Sequence, residues 1–174
     1  MAIPQSLNPG NEVMALAATS GMKVRNIRVE RSDSTNEWNL NGETWHDVVD
    51  SGFQKVLADP GLGDTEIWEI ENKSGGWFHP VHIHLVDFKI LSRNGKAPFA
   101  YELGPKDVVY VGEGEKVRLI MKFGPHRGKY MVHCHNLPHE DHDMMHQFSV
   151  GLKAGEVDGN DPIWADPATG DDSP

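Results

Sequence analysis

Cysteine, basic residues and long apolar runs are all scarce in this sequence. One cysteine among 174 residues cannot form a disulfide within the chain, so cysteine pairing indicates no redox compartment. Lys and Arg number 16 against 26 Asp and Glu, and the net charge of −10 argues against nucleic acid or an anionic membrane as the partner. No apolar run approaches the roughly 18 residues that span a bilayer.

The two ends of the chain lack the patterns of a folded core. Residues 1–21 contain no Lys or Arg, the first being Lys23, and no sustained apolar run, so they do not have the pattern of a secretion signal. Their Pro, Asn, Gly, Ala and Ser content predicts an arm or linker, and residues 153–174 form an acidic, Pro/Gly-rich tail. We therefore expect one domain over residues 22–152 and assign no compartment.

Short segments with strand-like alternation fill the predicted domain. KVRNIRVER alternates branched apolar with charged residues, and the pairs Asn41-Gly42 and Asn94-Gly95 predict tight turns. The segments with strand character are residues 23–31, 37–45, 65–72, 80–93, 107–112, 115–123, 129–135 and 146–152. No long segment carries a helical period, so the sequence predicts an all-β sandwich or barrel of antiparallel strands.

Histidine is the residue type in excess. Eight of the ten histidines fall in two windows, residues 79–84 and 133–146. In the segment KYMVHCH, strand alternation would turn Cys134 to one face and both His133 and His135 to the other. One strand would then supply ligands to two metal sites on opposite sides of a sheet.

The spacing divides the potential ligands into two groups. His139 follows Cys134 by five residues, and Met144 follows His139 by five. A thiolate, two imidazoles and a weak axial thioether are the ligand set of blue-copper sites, and the window HPVHIH offers His79 as the second imidazole. The second group consists of four histidines, namely His82, His84, His133 and His135.

Other interpretations of these residues stay open at this point. A lone buried cysteine is usually an inert apolar residue, and a lone histidine is more often a surface or core residue than a ligand. Zinc also accepts His and Cys ligands, although a single Cys with a Met at this spacing favours copper. Histidine at all of positions 133, 135 and 139 has a chance probability on the order of 2 in 10,000, so the joint pattern favours metal binding.

The two windows resemble a known family. HPVHIHLVDF and HCHNLPHEDHDMM are similar to the copper-ligand segments of the C-terminal cupredoxin domain of multicopper oxidases, in the branch of spore-coat laccases, bilirubin oxidase and phenoxazinone synthase. This resemblance extends over most of the chain, through the segments VRNIRV, LNGETWHD, TEIWEIEN, GPHRGKY and IPQSLNP. It implies an all-β, cupredoxin-like Greek-key β-sandwich that binds copper.

The resemblance also implies a role for each candidate ligand. The type 1 copper would be bound by His79, Cys134, His139 and, axially, Met144. His82 would bind the type 2 copper, and His84, His133 and His135 would bind the type 3 pair. Glu140 resembles a carboxylate that delivers protons during oxygen reduction, although a surface acid in an acidic loop would look the same.

The implied enzyme is larger than this chain. The family's trinuclear cluster takes two His-x-His pairs from each of two domains, whereas this chain has two pairs in total. We therefore expect a C-terminal part of a laccase-like oxidase that holds the complete type 1 site and half of the cluster ligands. N-terminal cupredoxin domains or a partner chain would complete it, with dioxygen and a phenolic, aromatic amine, tetrapyrrole or metal-ion reductant as substrates.

Two alternatives to this function follow from the same residues. A free-standing blue-copper electron carrier would explain Cys134, His79, His139 and Met144 but would leave four histidines unexplained. A two-fold homodimer would bring eight histidines to one interface. The isolated chain is expected to bind copper without turning over oxygen efficiently.

Overall fold

The structure is a computed structural model that describes residues 12–153 and residue 156. The elements in that part of the chain are α1 (Glu12–Ala15), β1 (Val24–Arg31), β2 (Trp38–Leu40), α2 (Trp45–Asp50), β3 (Thr65–Asn72), β4 (His79–Ile83), β5 (Phe88–Arg93), a 3-10 helix (Ala100–Glu102), β6 (Val108–Val111), β7 (Lys116–Lys122), β8 (Gly128–Cys134), α3 (Leu137–Glu140) and β9 (Met145–Val150). Short strands dominate, which confirms the predicted all-β, cupredoxin-like sandwich.

The strands form two sheets. A five-stranded sheet has the order β2-β1-β3-β7-β5, and a four-stranded sheet has the order β6-β4-β8-β9. The pair β1/β3 is parallel and the other pairs are antiparallel. None of the helices in the described residues has the length and apolarity needed to cross a membrane.

Large apolar side chains from both sheets make one core. Trp68 on β3 and Phe148 on β9 are fully buried, and their rings meet edge to face with centroids 5.4 Å apart. Burial of such a side chain contributes about 1.5–3 kcal/mol. Since Trp68 and Phe148 belong to different sheets, their contact packs the two sheets against each other.

The segment 80–93 is divided differently from the prediction. The sequence predicts one continuous strand, but the structure has β4 in the four-stranded sheet and β5 in the five-stranded sheet. The connection at residues 84–87 includes Leu85 with a positive φ of 73°, a conformation that is costly for a bulky residue. Because this connection contains neither Gly nor Pro, the sequence carries no turn signal there.

The Asn41-Gly42 turn is present, but the element that follows is not the predicted strand. Both residues have positive φ, 55° and 84°, and the turn is closed by the bridge between Leu40 and Glu43. The helix α2 then begins, because Thr44 and Asp47 cap its N-terminus reciprocally. The second predicted turn, Asn94-Gly95, is also formed, with φ values of 49° and 72°.

The predicted end segments lie mostly outside the described residues. Of the arm at residues 1–21, residues 1–11 are outside, and residues 12–15 form α1, which was not predicted. Of the tail at 153–174, the structure describes Lys153 and Glu156. The domain bounds 22–152 therefore remain a prediction.

Candidate metal centres

Strand β8 contributes to two clusters of side chains that could hold a metal ion. It pairs with β4 so that Val81 faces Cys134 and His82 faces His133. Side chains of consecutive residues in a strand point to opposite faces. Cys134 accordingly lies with one group of histidines, whereas His133 lies with another.

The first centre consists of His79, Cys134 and His139. Cys134 Sγ lies 3.5 Å from His79 Nδ1 and 3.7 Å from His139 Nδ1, and the two nitrogens are 3.2 Å apart. All three residues are buried. The first residue of β4, the end of β8 and the short helix α3 thus bring one sulfur and two nitrogens together.

The donor atoms of this centre fit a metal ion. A point equidistant from the three atoms lies about 2 Å from each, close to the roughly 2.0–2.3 Å bonds that histidine nitrogen and cysteine sulfur make to metals. Two imidazoles with one thiolate form the trigonal set that holds blue copper. We call these three residues, together with Met144 as the predicted axial ligand, the thiolate centre.

Burial keeps these ligands neutral in the absence of metal. It lowers the pKa of His79 to about 4, with a smaller contribution from His139. It lowers the pKa of His139 as well, helped by the positive charge of Arg31. Burial raises the pKa of the Cys134 thiol to about 11. The imidazoles are therefore ready to bind, while the thiol must lose a proton when a metal arrives.

Met144 ends the short loop between α3 and β9. Its side chain is fully buried. The backbone N–H of Met144 donates to the carbonyl of His139 (3.0 Å), and the N–H of Cys134 donates to the carbonyl of Met144 (3.0 Å). These two bonds fix the loop from His139 to Met144 against the end of β8.

Two tryptophans surround His139. Trp38 stacks on its ring with centroids 3.9 Å apart, and Trp77 meets it edge to face at 5.4 Å. Trp38 is buried, whereas Trp77 is 45% exposed. Trp77 is close to His79 in the sequence, whereas Trp38 comes from β2, far earlier in the chain, and no local pattern connects it with this site.

The second centre is a group of histidines on the other face of β8. One ligand atom from each of His82, His84 and His133 lies within 4.8 Å of the others, and His84 Nε2 is 3.3 Å from His133 Nε2. The ring of His135 is 5.2 Å from that of His133 and 5.6 Å from that of His82. We call these four residues the histidine cluster.

The histidine cluster is more open than the thiolate centre. His135 is exposed, and His82 and His84 are half-buried. His82 Nδ1 donates to the backbone carbonyl of Asp107 (2.9 Å), which leaves Nε2 to bind a metal. Burial, and to a lesser extent neighbouring histidines, lowers the pKa of His84. The cluster thus presents three of its four imidazoles at least partly to solvent.

Glu140 lies beside the histidine cluster. Its Oε1 is 3.4 Å from His133 Nδ1, and its Oε2 is buried without a hydrogen-bond partner among the described residues. His133 has its pKa lowered by burial, and Glu140 acts in the opposite direction. The carboxylate of Glu140 thus faces the histidine cluster through one oxygen, and its other oxygen makes no hydrogen bond within the described residues.

Comparison with known proteins supplies a family for this arrangement. The profile of the family described as "Multicopper oxidase" matches residues 21–153. The chain is 45% identical over 130 residues to a bilirubin oxidase of Albifimbria verrucaria, covering 72% of the chain and 22% of that protein. It is 38% identical over 150 residues to a laccase of Haloferax volcanii, covering 84% of the chain and 24% of that protein.

Solved structures that resemble this chain are also multicopper oxidases. The McoA multicopper oxidase of Aquifex aeolicus matches with a TM-score of 0.69 and 34% identity, over 78% of this chain and 30% of that one. A multi-copper oxidase of Pediococcus acidilactici matches with a TM-score of 0.72 and 31% identity, over 91% of this chain and 32% of that one. The chain thus spans between a fifth and a third of the length of these proteins.

Proposed function

The chain belongs to the multicopper oxidase family, and on this basis we propose that it is the C-terminal copper-binding domain of a laccase-like oxidase. The observation that carries the proposal is the placement of the thiolate centre and the histidine cluster on opposite faces of one strand, β8. A chain of backbone bonds from Cys134 to His133 joins the two, so the residues that would hold the donor and acceptor metals are covalently continuous.

The thiolate centre is proposed to hold the type 1 copper. His79, Cys134 and His139 would be the three strong ligands, and Met144 the weak axial ligand. The chemistry that copper supplies at such a site is one-electron transfer from a reductant towards the reduction of dioxygen. The burial of all three strong ligands excludes water, and the loop bonds at Met144 hold them in place.

The histidine cluster is proposed to supply half of the ligands of a trinuclear site. His82 would bind the type 2 copper, and His84, His133 and His135 would bind the type 3 pair. The exposure of His135 supports this assignment, because a second domain has to approach the cluster to add its own ligands. N-terminal cupredoxin domains or a partner chain would provide them.

Glu140 is proposed to hold a proton beside this site. Its Oε1 is within reach of His133, and the unpartnered Oε2 gives it the capacity to accept one. Reduction of dioxygen to water consumes protons, so a carboxylate at this position would deliver them from the loop that also carries His139.

The reductant is proposed as a class rather than a compound. One relative is named a bilirubin oxidase, which supports a tetrapyrrole as one candidate. Phenols, aromatic amines and metal ions are the other classes that the family resemblance implies. A free-standing blue-copper carrier would need the thiolate centre alone, and the histidine cluster would then have no role.

Copper stoichiometry, oxygen uptake and particle mass, measured on one preparation of the purified chain, test this function. We expect about one tightly held copper per chain, an intense blue colour and negligible oxygen uptake in a monomer. The same chain loaded with Zn²⁺, which has no redox chemistry, is the control for both colour and uptake.

Two results would change the conclusion. A colourless copper-loaded chain would contradict the type 1 assignment. Oxygen uptake in a particle of twice the chain mass would mean that two histidine clusters complete each other, and the domain would then be an oxidase as a homodimer.

A further inference from the structure

His79 has a short hydrogen bond on the side of its ring that faces away from Cys134. Its Nε2 lies 2.7 Å from Ser74 Oγ, whereas its Nδ1 faces the sulfur of Cys134 at 3.5 Å. Ser74 belongs to the loop between β3 and β4, residues 73–78, and Asn72 ends β3 immediately before it. The direction of the bond between His79 and Ser74 can be deduced from the hydrogens that these neighbours have available.

The side chain of Asn72 has a single orientation that satisfies its contacts. Its amide nitrogen lies 2.7–3.2 Å from the backbone carbonyls of Trp77, Val111 and Gly112, which can only accept. The Asn72 carbonyl oxygen therefore points to Ser74, where it accepts from the backbone N–H (2.9 Å) and from the hydroxyl (2.6 Å).

The hydroxyl of Ser74 has one hydrogen, and Asn72 receives it. Ser74 Oγ can then only accept at its contact with His79, so His79 Nε2 carries the ring hydrogen. A neutral imidazole has one protonated nitrogen. The lone pair of His79 is consequently on Nδ1, the atom that faces Cys134 and His139.

We propose that Ser74 and Asn72 are positioning residues that fix the tautomer and ring orientation of His79 and thereby strengthen copper binding at the thiolate centre. The proposal rests on the proposed function, since it takes His79 to be a copper ligand. A hydrogen bond donated by the far nitrogen of a ligating histidine orients the ring and raises its basicity, and loss of such a partner typically weakens metal binding 10–100-fold.

Asn72 also explains why this anchor is rigid. It is 1% exposed, and its amide ties the end of β3 to the loop at Trp77 and to the end of β6 at Val111 and Gly112. Replacement of Asn72 would leave backbone carbonyls unpaired and would disturb the fold. Ser74 is the better residue to change, because its hydroxyl makes the two side-chain bonds to Asn72 and His79.

The first measurement is the ¹⁵N chemical shifts of His79 in the metal-free chain, which distinguish the two tautomers without any copper. We expect Nε2–H in the native chain and a mixture of tautomers in Ser74→Ala. Ser74→Thr keeps a hydroxyl and should restore the native tautomer. Ser92→Ala removes a hydroxyl from β5, in the five-stranded sheet, and should leave the tautomer of His79 unchanged.

The second measurement is the affinity for Cu²⁺ and Cu⁺ by competition with chelators of known affinity. Ser74→Ala should bind Cu²⁺ roughly 10–100-fold more weakly, and Ser74→Thr and Ser92→Ala should match the native chain. Because a more basic imidazole favours Cu²⁺ over Cu⁺, the loss should be larger for Cu²⁺. For each factor of ten by which the loss of Cu²⁺ affinity exceeds the loss of Cu⁺ affinity, the reduction potential rises by about 59 mV.

Failure of this proposal can be told apart from failure of the proposed function. An Nδ1–H tautomer in the native chain, or an unchanged Cu²⁺ affinity in Ser74→Ala, would overturn the positioning role while leaving His79 as a ligand. Retention of the blue absorption in His79→Ala would overturn the ligand assignment itself, and the positioning role with it.

Discussion

The thiolate centre and the histidine cluster share strand β8 but differ in how far the chain completes them. In the thiolate centre, His79, Cys134 and His139 are at most 3% exposed, and their donor atoms already form a triangle of metal-binding size. In the histidine cluster, His135 is exposed and three ligand atoms lie together on an open face. This chain therefore preorganises the donor atoms of the proposed type 1 site by itself, whereas the proposed trinuclear site lies open to a second domain or chain.

The two sites also differ in what supports them. Two tryptophan rings and the Asn72–Ser74 pair contact the histidines of the thiolate centre. The histidine cluster is supported by the backbone carbonyl of Asp107 and by the carboxylate of Glu140. Aromatic and hydroxyl contacts hold rings in place, whereas a carboxylate can exchange a proton, so the supports match the different tasks proposed for the two sites.

Replacement of a ligand on each face of β8 separates the two sites most sharply. Cys134→Ser should abolish the blue absorption completely, because Cys134 is the only thiol in the chain. His135→Ala, one residue away on the other face, should leave that absorption unchanged. The check is the visible spectrum after copper loading, and persistent blue colour in Cys134→Ser would contradict the assignment.

Metal removal should proceed in a fixed order. A chelator added to the chain loaded with excess copper should first remove the weakly held copper of the histidine cluster, since the ligands of that cluster are more exposed and incomplete. Release from the thiolate centre should be slower by at least roughly tenfold, the effect expected of well-supported ligands. Time-resolved absorption and total copper analysis measure the two phases; simultaneous loss of both would refute the distinction between a closed and an open site.

Removal of the ring that stacks on His139 should destabilise the fold. Trp38→Ala leaves a cavity at a buried aromatic position and should cost about 3–5 kcal/mol in the free energy of unfolding of the metal-free chain. Trp77→Ala, at a half-exposed position, should cost much less, and Trp38→Phe should recover most of the loss. Urea denaturation compares the three variants, and equal costs for Trp38→Ala and Trp77→Ala would contradict the packing role.

A milder change concerns helix α2. The backbone N–H of Trp45, the first residue of this helix, donates to the carbonyl of Asp143, which lies in the loop between His139 and Met144. Thr44→Ala removes the N-cap and should lower the free energy of unfolding by about 1 kcal/mol in urea denaturation. The matched control is Thr35→Ala, which lies in the exposed turn before β2 and should leave stability nearly unchanged. Equal effects of the two substitutions would rule out the capping role.

The cap should also depend on pH. Hydrogen bonds from the backbone and hydroxyl of Thr44 lower the pKa of Asp47 below its ordinary value of 3.8. The stabilisation by the ionised carboxylate is therefore complete above that value and is lost as the pH falls through the lower pKa of the folded state. The stability difference between the native chain and Thr44→Ala should shrink over that acid range, as thermal unfolding at several pH values would show.

Local patterns in the sequence predicted most of the strands and the two groups of candidate ligands, whereas contacts between distant segments were not predictable. Strand alternation puts Cys134 and His133 on opposite faces whatever the rest of the chain does. The stacking of Trp38 on His139 depends instead on how β2 meets a loop far along the chain. The role proposed for Ser74 likewise depends on Asn72, whose amide contacts the carbonyls of Val111, at the end of β6, and Gly112, just after it.

The pairing of β4 with β8 restricts how the sequence can change. Val81 faces Cys134 and His82 faces His133 in an antiparallel register in which neighbouring residues alternate between faces. Insertion or deletion of one residue in either strand would exchange the faces beyond that point and disrupt both sites at once. Substitutions can alter the two centres separately, but length changes in this pair of strands cannot.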